Sequence, residues 1–373
     1  MTTMNRIWQG LMCVGVVALW QPPALGAAPL LTVADAEQPA PATPPAPPVA
    51  PAPGRGPGPE AWSRERQARR DAERGPWIDG EAIVRQFKGG EGVTLDLLNM
   101  LGDVVVVGGK GREGRLSIVR RVQGRGPDTD ALLKAFEIDV SEHANRVAVR
   151  SSLPRPSQPP PRGSRPRVRA DYQIALPAGT ALELKNMHGN VTLTNVAGDV
   201  RVEAMAGDVV GEALSRVRML RSMSGDVMLS RSVVEGDANL QSVSGNVIAS
   251  GVQAGSLTMG TVSGTVQIKE SGSDRTLVRT VSGDIEFAAV PRKAGRYELK
   301  THAGDIFVFA PRGSGFEFEA NTFKGDVTSD VPTQPGMAGS RQVRGSVGDG
   351  SAFFELTSFT GDITVGKKQE KPK

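Results

Sequence analysis

Cysteine is nearly missing from this chain of 373 residues: Cys13 is its only one. It sits in an apolar N-terminal run, so a chain processed after that run has no cysteine. Disulfides, thiol catalysis and cysteine-held metals are then excluded. Histidine is almost as scarce. His143, His188 and His302 form no HxH or HxxxH spacing, so neither a metal site nor a cofactor is expected. Phe, Trp and Tyr make up 5% of the chain. The tyrosines are Tyr172 and Tyr297, and Trp8, Trp20, Trp62 and Trp77 all lie early, which leaves little for an aromatic sugar platform. No hydrophobic run is long enough to cross a bilayer. Residues 7–20 are mostly apolar but short, follow Arg6, and precede the small residues Ala24-Leu25-Gly26. That pattern predicts a secretory signal over 1–26 and no transmembrane segment after its cleavage.

Residues 27–77 are Pro and Ala rich and then charged, which predicts a disordered, semi-rigid linker. Alternating apolar patterns begin near residue 82. They predict strands at 82–87, 93–98, 103–107, 115–122, 138–141 and 146–151, with one short helix over 128–136. This β-rich lead-in region spans 78–176 and holds a disordered Pro/Arg insert at 154–167. Residues 367–373 read as a disordered tail. Gly109 to Gly114 matches a dinucleotide fingerprint by letter, but the residues after it alternate as a strand, and the fingerprint requires a helix there.

From 177 to 366 the chain repeats about every twenty residues. The copies include LKNMHGNVTL from Leu184, LRSMSGDVML from Leu220, LQSVSGNVIA from Leu240, VRTVSGDIEF from Val278 and LTSFTGDITV from Leu356. A period in the twenties built from strands predicts stacked coils. The fold class is therefore all-β: a single-stack β-solenoid of about 20-residue coils, with two strands and two corners per coil. The corner residues are Gly189, Gly207, Gly225, Gly245, Gly264, Gly283, Gly304, Gly325 and Gly361. Each is read as supplying a positive backbone angle, with a following residue such as Asp226 bonding its own backbone in an Asx turn. In each copy one hydrophobic pair precedes the glycine, as Leu220 and Met223 do, and a second pair follows, as Val227 and Leu229 do. Asn186, Ser222, Ser242, Thr261, Thr280, Thr301, Thr322 and Ser358 recur at one position and predict a polar ladder. The later phenylalanines predict a thicker end coil or a cap.

Several chemistries are weakened by what accompanies the repeat. The corner serines have no recurring histidine base. The Asp ladder (Asp199, Asp208, Asp226, Asp284, Asp305, Asp326 and Asp362) lacks the nine-residue period of calcium-binding β-rolls. Formal net charge is +4, unevenly spread: Arg155, Arg162, Arg165, Arg167 and Arg169 lie in one stretch with no acid. With an export signal, that stretch points to an anionic envelope polysaccharide rather than nucleic acid; another surface protein is the alternative partner.

The phrase YxIxLPxGTxLxLxNxxGxVxL, from Tyr172 to Leu193, together with NMLGDVVV and the SGDV copies, resembles a bacterial β-strand-repeat domain of unknown function often labelled "putative adhesin". The resemblance covers 82–366. It implies a β-solenoid at or beyond the envelope and carries over no catalytic residue. The expected function is an exported, non-enzymatic, adhesin-like protein presenting its solenoid surface. The alternatives are a carbohydrate-active β-helix enzyme using Asp284, Asp305 and Arg279, and a self-assembling scaffold like the bactofilins.

Overall fold

Alternation along each repeat makes two strands that meet at the glycine. In the copy around Gly225 the strands are Arg216–Ser224 and Val227–Ser230. Successive side chains of a strand point to opposite faces, so Val227 and Leu229 are buried while Met228 between them is exposed. The computed structural model describes residues 77–123, 133–152, 167–309, 311, 313–332 and 341–366. The proposed signal, the linker, the tail and most of the Pro/Arg insert lie outside these.

The long and short strands of successive coils build a 13-stranded and a 14-stranded sheet. Pairing between coils is parallel and in register. Val227 pairs with Val247, Val247 with Val266, and Val266 with Ile285. The chain is thus the single-stack solenoid that the repeat predicted. One hydrophobic cluster fills the space between the sheets, from Leu95 and Leu97 at one end to Ile363 and Val365 at the other. No single coil could bury this surface; the stack does so by continuity.

Chain order and spatial order part company at both ends. Thr94–Asn99 and Val104–Gly108 form a coil that lies directly on Ala181–His188 and Val191–Thr194. Arg146–Ser152 and Arg167–Leu176 pack on its far side. Beyond them run the antiparallel strands Glu113–Gln123 and Glu137–His143. Among the described residues, helix is limited to 133–135, within the predicted 128–136. At the other end the chain skips a place. Phe353–Thr360 slots between Arg296–Ala303 and Phe316–Lys324. Ile363–Gly366 slots between Ile306–Phe309 and Val327–Ser329. The antiparallel strand Gln342–Val347 then covers the outer side of Phe316–Lys324.

The buried phenylalanines gather where this late coil enters. Phe354 contacts Tyr297 with ring centroids 4.5 Å apart, Phe287 at 5.1 Å and Phe316 at 5.3 Å. Such ring pairs add roughly 0.5–1.5 kcal/mol beyond area burial. The Tyr297 hydroxyl donates to the Ser273 carbonyl at 3.0 Å and accepts from the Arg292 amide at 2.8 Å.

Candidate functional site

The repeated polar groups at the glycine corners are engaged in the stack itself. All nine glycines have φ between 125° and 155°. A Cβ on Gly225 would fall within 3.0 Å of the Gly207 carbonyl oxygen, and the same holds up the column. That carbonyl is met by the next coil: Ser222 Oγ donates to Gly207 O at 2.9 Å and Ser242 Oγ to Gly225 O at 2.9 Å. Thr261, Thr301, Thr322 and Ser358 repeat the contact, while the buried Thr280 hydroxyl has no partner. The polar ladder is therefore internal.

The aspartates differ from their expected Asx turns. Asp208 Oδ1 accepts the backbone N–H of Asp226 at 2.8 Å, and Asp226 Oδ1 that of Asn246 at 2.7 Å. Each carboxylate caps the coil above, because stacking brings that N–H within reach. Asp284 accepts from Asp305, Asp305 from Asp362 and Asp362 from Asp326. Asp199 stands outside this column and faces Arg218. Among the described residues no group of three or more His, Cys, Asp or Glu is placed to hold a metal.

The outer face of the 13-stranded sheet carries a further column of side chains. The sequence pairs Leu220 with Met223 as the hydrophobic residues before the glycine. The structure buries Leu220 and Ser222 and leaves Met223 outside, because alternation admits residues two apart to one face, not three. The same shift applies in every coil. Met187, Met205, Met223, Val243, Val262, Val281, His302, Phe359 and Phe323 thus form one column on the outside. Their flanking residues are in register from coil to coil. Exposure within the column reaches 57% at Phe323. At one end His302, Phe359 and Phe323 stack with centroids 4.8 and 4.9 Å apart.

Near the other end the same face carries a charged groove of about 390 Å³. Asp96 accepts from Arg146 at 2.6 Å and from Arg150 at 2.8 Å. Arg150 first, then Arg146, hold its carboxyl below the usual carboxylate range, against the opposing effect of burial. Arg146 also reaches Glu183 at 2.8 Å, and Arg201 pairs with Glu203 at 2.8 Å. Lys185 also lines the groove; Arg201 first, with Lys185 among the lesser causes, holds the Glu203 carboxyl below the usual carboxylate range. Four cations thus face three carboxylates. They come from three separate parts of the chain, 96–98, 146–150 and 183–203, so no local run of sequence announces them.

The arginines singled out by sequence are placed differently. Arg155, Arg162 and Arg165 lie outside the described residues, and Arg167 opens the strand Arg167–Leu176. The Arg169 guanidinium lies 4.6 Å from the Trp77 ring centroid and 3.3 Å from Asp171. Asp171 is shared with Arg121 at 2.6 Å.

Comparison with known proteins adds a family and a fold. Residues 164–366 match the family described as Toastrack DUF4097. A solved "putative adhesin" from Bacteroides fragilis is 16% identical, with 77% of this chain and 97% of that chain covered and a TM-score of 0.39. One from Parabacteroides distasonis is 11% identical, covering 78% and 98%, at 0.39. A third, from Parabacteroides merdae, is 10% identical, covering 78% and 97%, at 0.38. At these values the likeness carries no argument about what the chain binds. The comparison with curated proteins finds no match.

Proposed function

Since the chain belongs to the Toastrack DUF4097 family, we propose that it is an exported, non-enzymatic, adhesin-like protein of the bacterial cell envelope that binds an anionic polysaccharide on its outer sheet face. The carrying observation is the groove in which four cations, Arg146, Arg150, Lys185 and Arg201, face three carboxylates. A polymer carboxylate or sulfate would find an excess of positive charge there. The corner aspartates support the non-enzymatic part of the reading. Asp284 and Asp305 are each occupied by a backbone N–H, and Arg279 pairs with Glu298 at 3.3 Å. An end-to-end scaffold is disfavoured by the antiparallel strands that finish the 13-stranded sheet at both ends, since they break the parallel ladder. No helix of the described residues is long and apolar enough to cross a membrane.

The test is co-sedimentation of the full chain with isolated acidic envelope polysaccharide, followed together with release of reducing or unsaturated ends. Binding that weakens with salt, is lost in Lys185→Glu with Arg201→Glu, and yields no product is expected. Product that disappears in Asp284→Asn would establish the enzyme instead. Binding lost only when Arg155, Arg162, Arg165, Arg167 and Arg169 are neutralised would move the site to the basic insert. Fractionation with protease accessibility checks export; an unprocessed cytoplasmic chain overturns it.

A further inference from the structure

Nine copies of one coil are nine readings of each position. Two residues before the exposed column, the outward position varies freely: Lys185, Glu203, Arg221, Gln241, Gly260 and Arg279 follow one another. The column itself, from Met187 to Phe323, holds Met, Val, Phe and one His, and never Lys, Arg, Asp or Glu. The core does not require this, because these side chains point away from it. A continuous apolar strip along the whole stack is larger than scattered surface hydrophobics and marks a contact surface.

The charges beside the strip indicate what covers it. On one side stand Arg221, Arg279 and Lys300. Three residues past the strip, the same coils carry Asp226, Asp284 and Asp305. Where the first position is uncharged, at Gln241 and Gly260, the second is uncharged too, at Asn246 and Thr265. Among the described residues no ion pair joins these two columns within the chain; Arg279 and Lys300 turn to Glu298 instead. The match holds over the five successive coils from Arg221 to Lys300; Lys185 with Asn190, Glu203 with Asp208, Thr357 with Asp362 and Asn321 with Asp326 depart from it at the two ends, and Glu203 is taken by Arg201.

A strip with cations on one side and matching carboxylates on the other complements itself under one kind of two-fold axis. With the axis parallel to the stack, each cation column faces a carboxylate column. With the axis across the stack, cations face cations. We propose that this face joins two copies of the chain, side by side, with their stacks pointing the same way. From the ~4.8 Å coil spacing and ~3.3 Å per residue the face measures about 45 by 16 Å, or about 700 Å² per copy, close to the ~800 Å² of a standard interface. The inference rests on the central coils and not on the polysaccharide reading, although that reading's groove shares Lys185 and Glu203 with one end of the face.

The experiment uses the full chain carrying Cys13→Ser. Sedimentation velocity should show a dimer at micromolar concentration that becomes monomer in Val262→Glu with Val281→Glu. Val262→Thr with Val281→Thr keeps the β-branched strand residues and should also weaken association at least tenfold, while circular dichroism and melting stay near those of the parent. Met205→Cys alone and Phe323→Cys alone should each oxidise to a disulfide dimer, and a mixture of the two should give no 205–323 product. A chain that stays monomeric, association unaffected by the threonine pair, or a 205–323 cross-link would each overturn the proposal.

Discussion

Each coil turns two corners, and only one of them insists on glycine. At the first corner, glycine recurs in all nine copies with φ of 125–155° and the carbonyl of the adjacent coil where a Cβ would be. At the second corner, Asn195, Ala213, Arg231, Gly251 and Glu270 hold φ of 45–65°. A Cβ on Gly251 would meet nothing nearer than 3.7 Å. The difference teaches that a positive φ alone does not dictate glycine. The left-handed region costs an ordinary residue about 1–2 kcal/mol, which the stack tolerates at the second corner. Backbone packed against backbone leaves no such tolerance.

The comparison breaks most visibly by adding one methyl to each corner. Gly225→Ala should lose roughly 3–5 kcal/mol, from about 1–3 for the backbone angle and a similar amount for overpacking. Gly251→Ala should lose less than about 1 kcal/mol, because the stiffer unfolded chain offsets part of its strain. Denaturant midpoints measure both; equal losses would dissolve the distinction between the corners. Next in size is the hydroxyl ladder. Ser242→Ala leaves the Gly225 carbonyl short of its donor and should cost about 1–3 kcal/mol. Thr280→Val removes a hydroxyl that has no partner and should be neutral or slightly stabilising by the same assay. Smaller again is the carboxylate cap. Asp226→Ala should cost about 1 kcal/mol, while Asp226→Asn, which imitates Asn190 and Asn246, should change stability by less than about 0.5 kcal/mol. Also small is Arg231→Gly, expected within about 0.5 kcal/mol of the parent on the stabilising side, since relief of the left-handed angle slightly exceeds the added chain freedom and the loss of the exposed pair with Glu212. A fall in melting temperature would count against it.

The corners also show how far the sequence could be read. The glycine column, the parallel stack and the lead-in strands were legible because period and alternation are local. The prediction of 146–151, for example, meets Arg146–Ser152. The exposure of Met223 and its equivalents is not legible from their hydrophobicity. A buried Ser222 becomes acceptable only when the Gly207 carbonyl is known to be waiting for it, and that contact crosses 15 residues. The Asp226 cap failed for the same reason: its partner, Asn246, belongs to the next coil. The groove was invisible because Asp96, Arg146 and Lys185 come together only when the coil at 94–108 joins the stack. No repeat motif records which coil lies next to which, since any copy could seat on any other.

That interchangeability gives the coil of Phe353–Thr360 and Ile363–Gly366 an unusual position in time. It is the last described segment to leave the ribosome, yet it occupies the second place from that end of the stack. In the finished stack it lies between Arg296–Ala303 and Phe316–Lys324 and satisfies the facing edges of both. A chain cut anywhere before Phe353 would therefore lose more than its final coil. It would also lose the strands that join the coil of Arg296–Ala303 and Ile306–Phe309 to that of Phe316–Lys324 and Val327–Ser329, so this late segment is the keystone of that end.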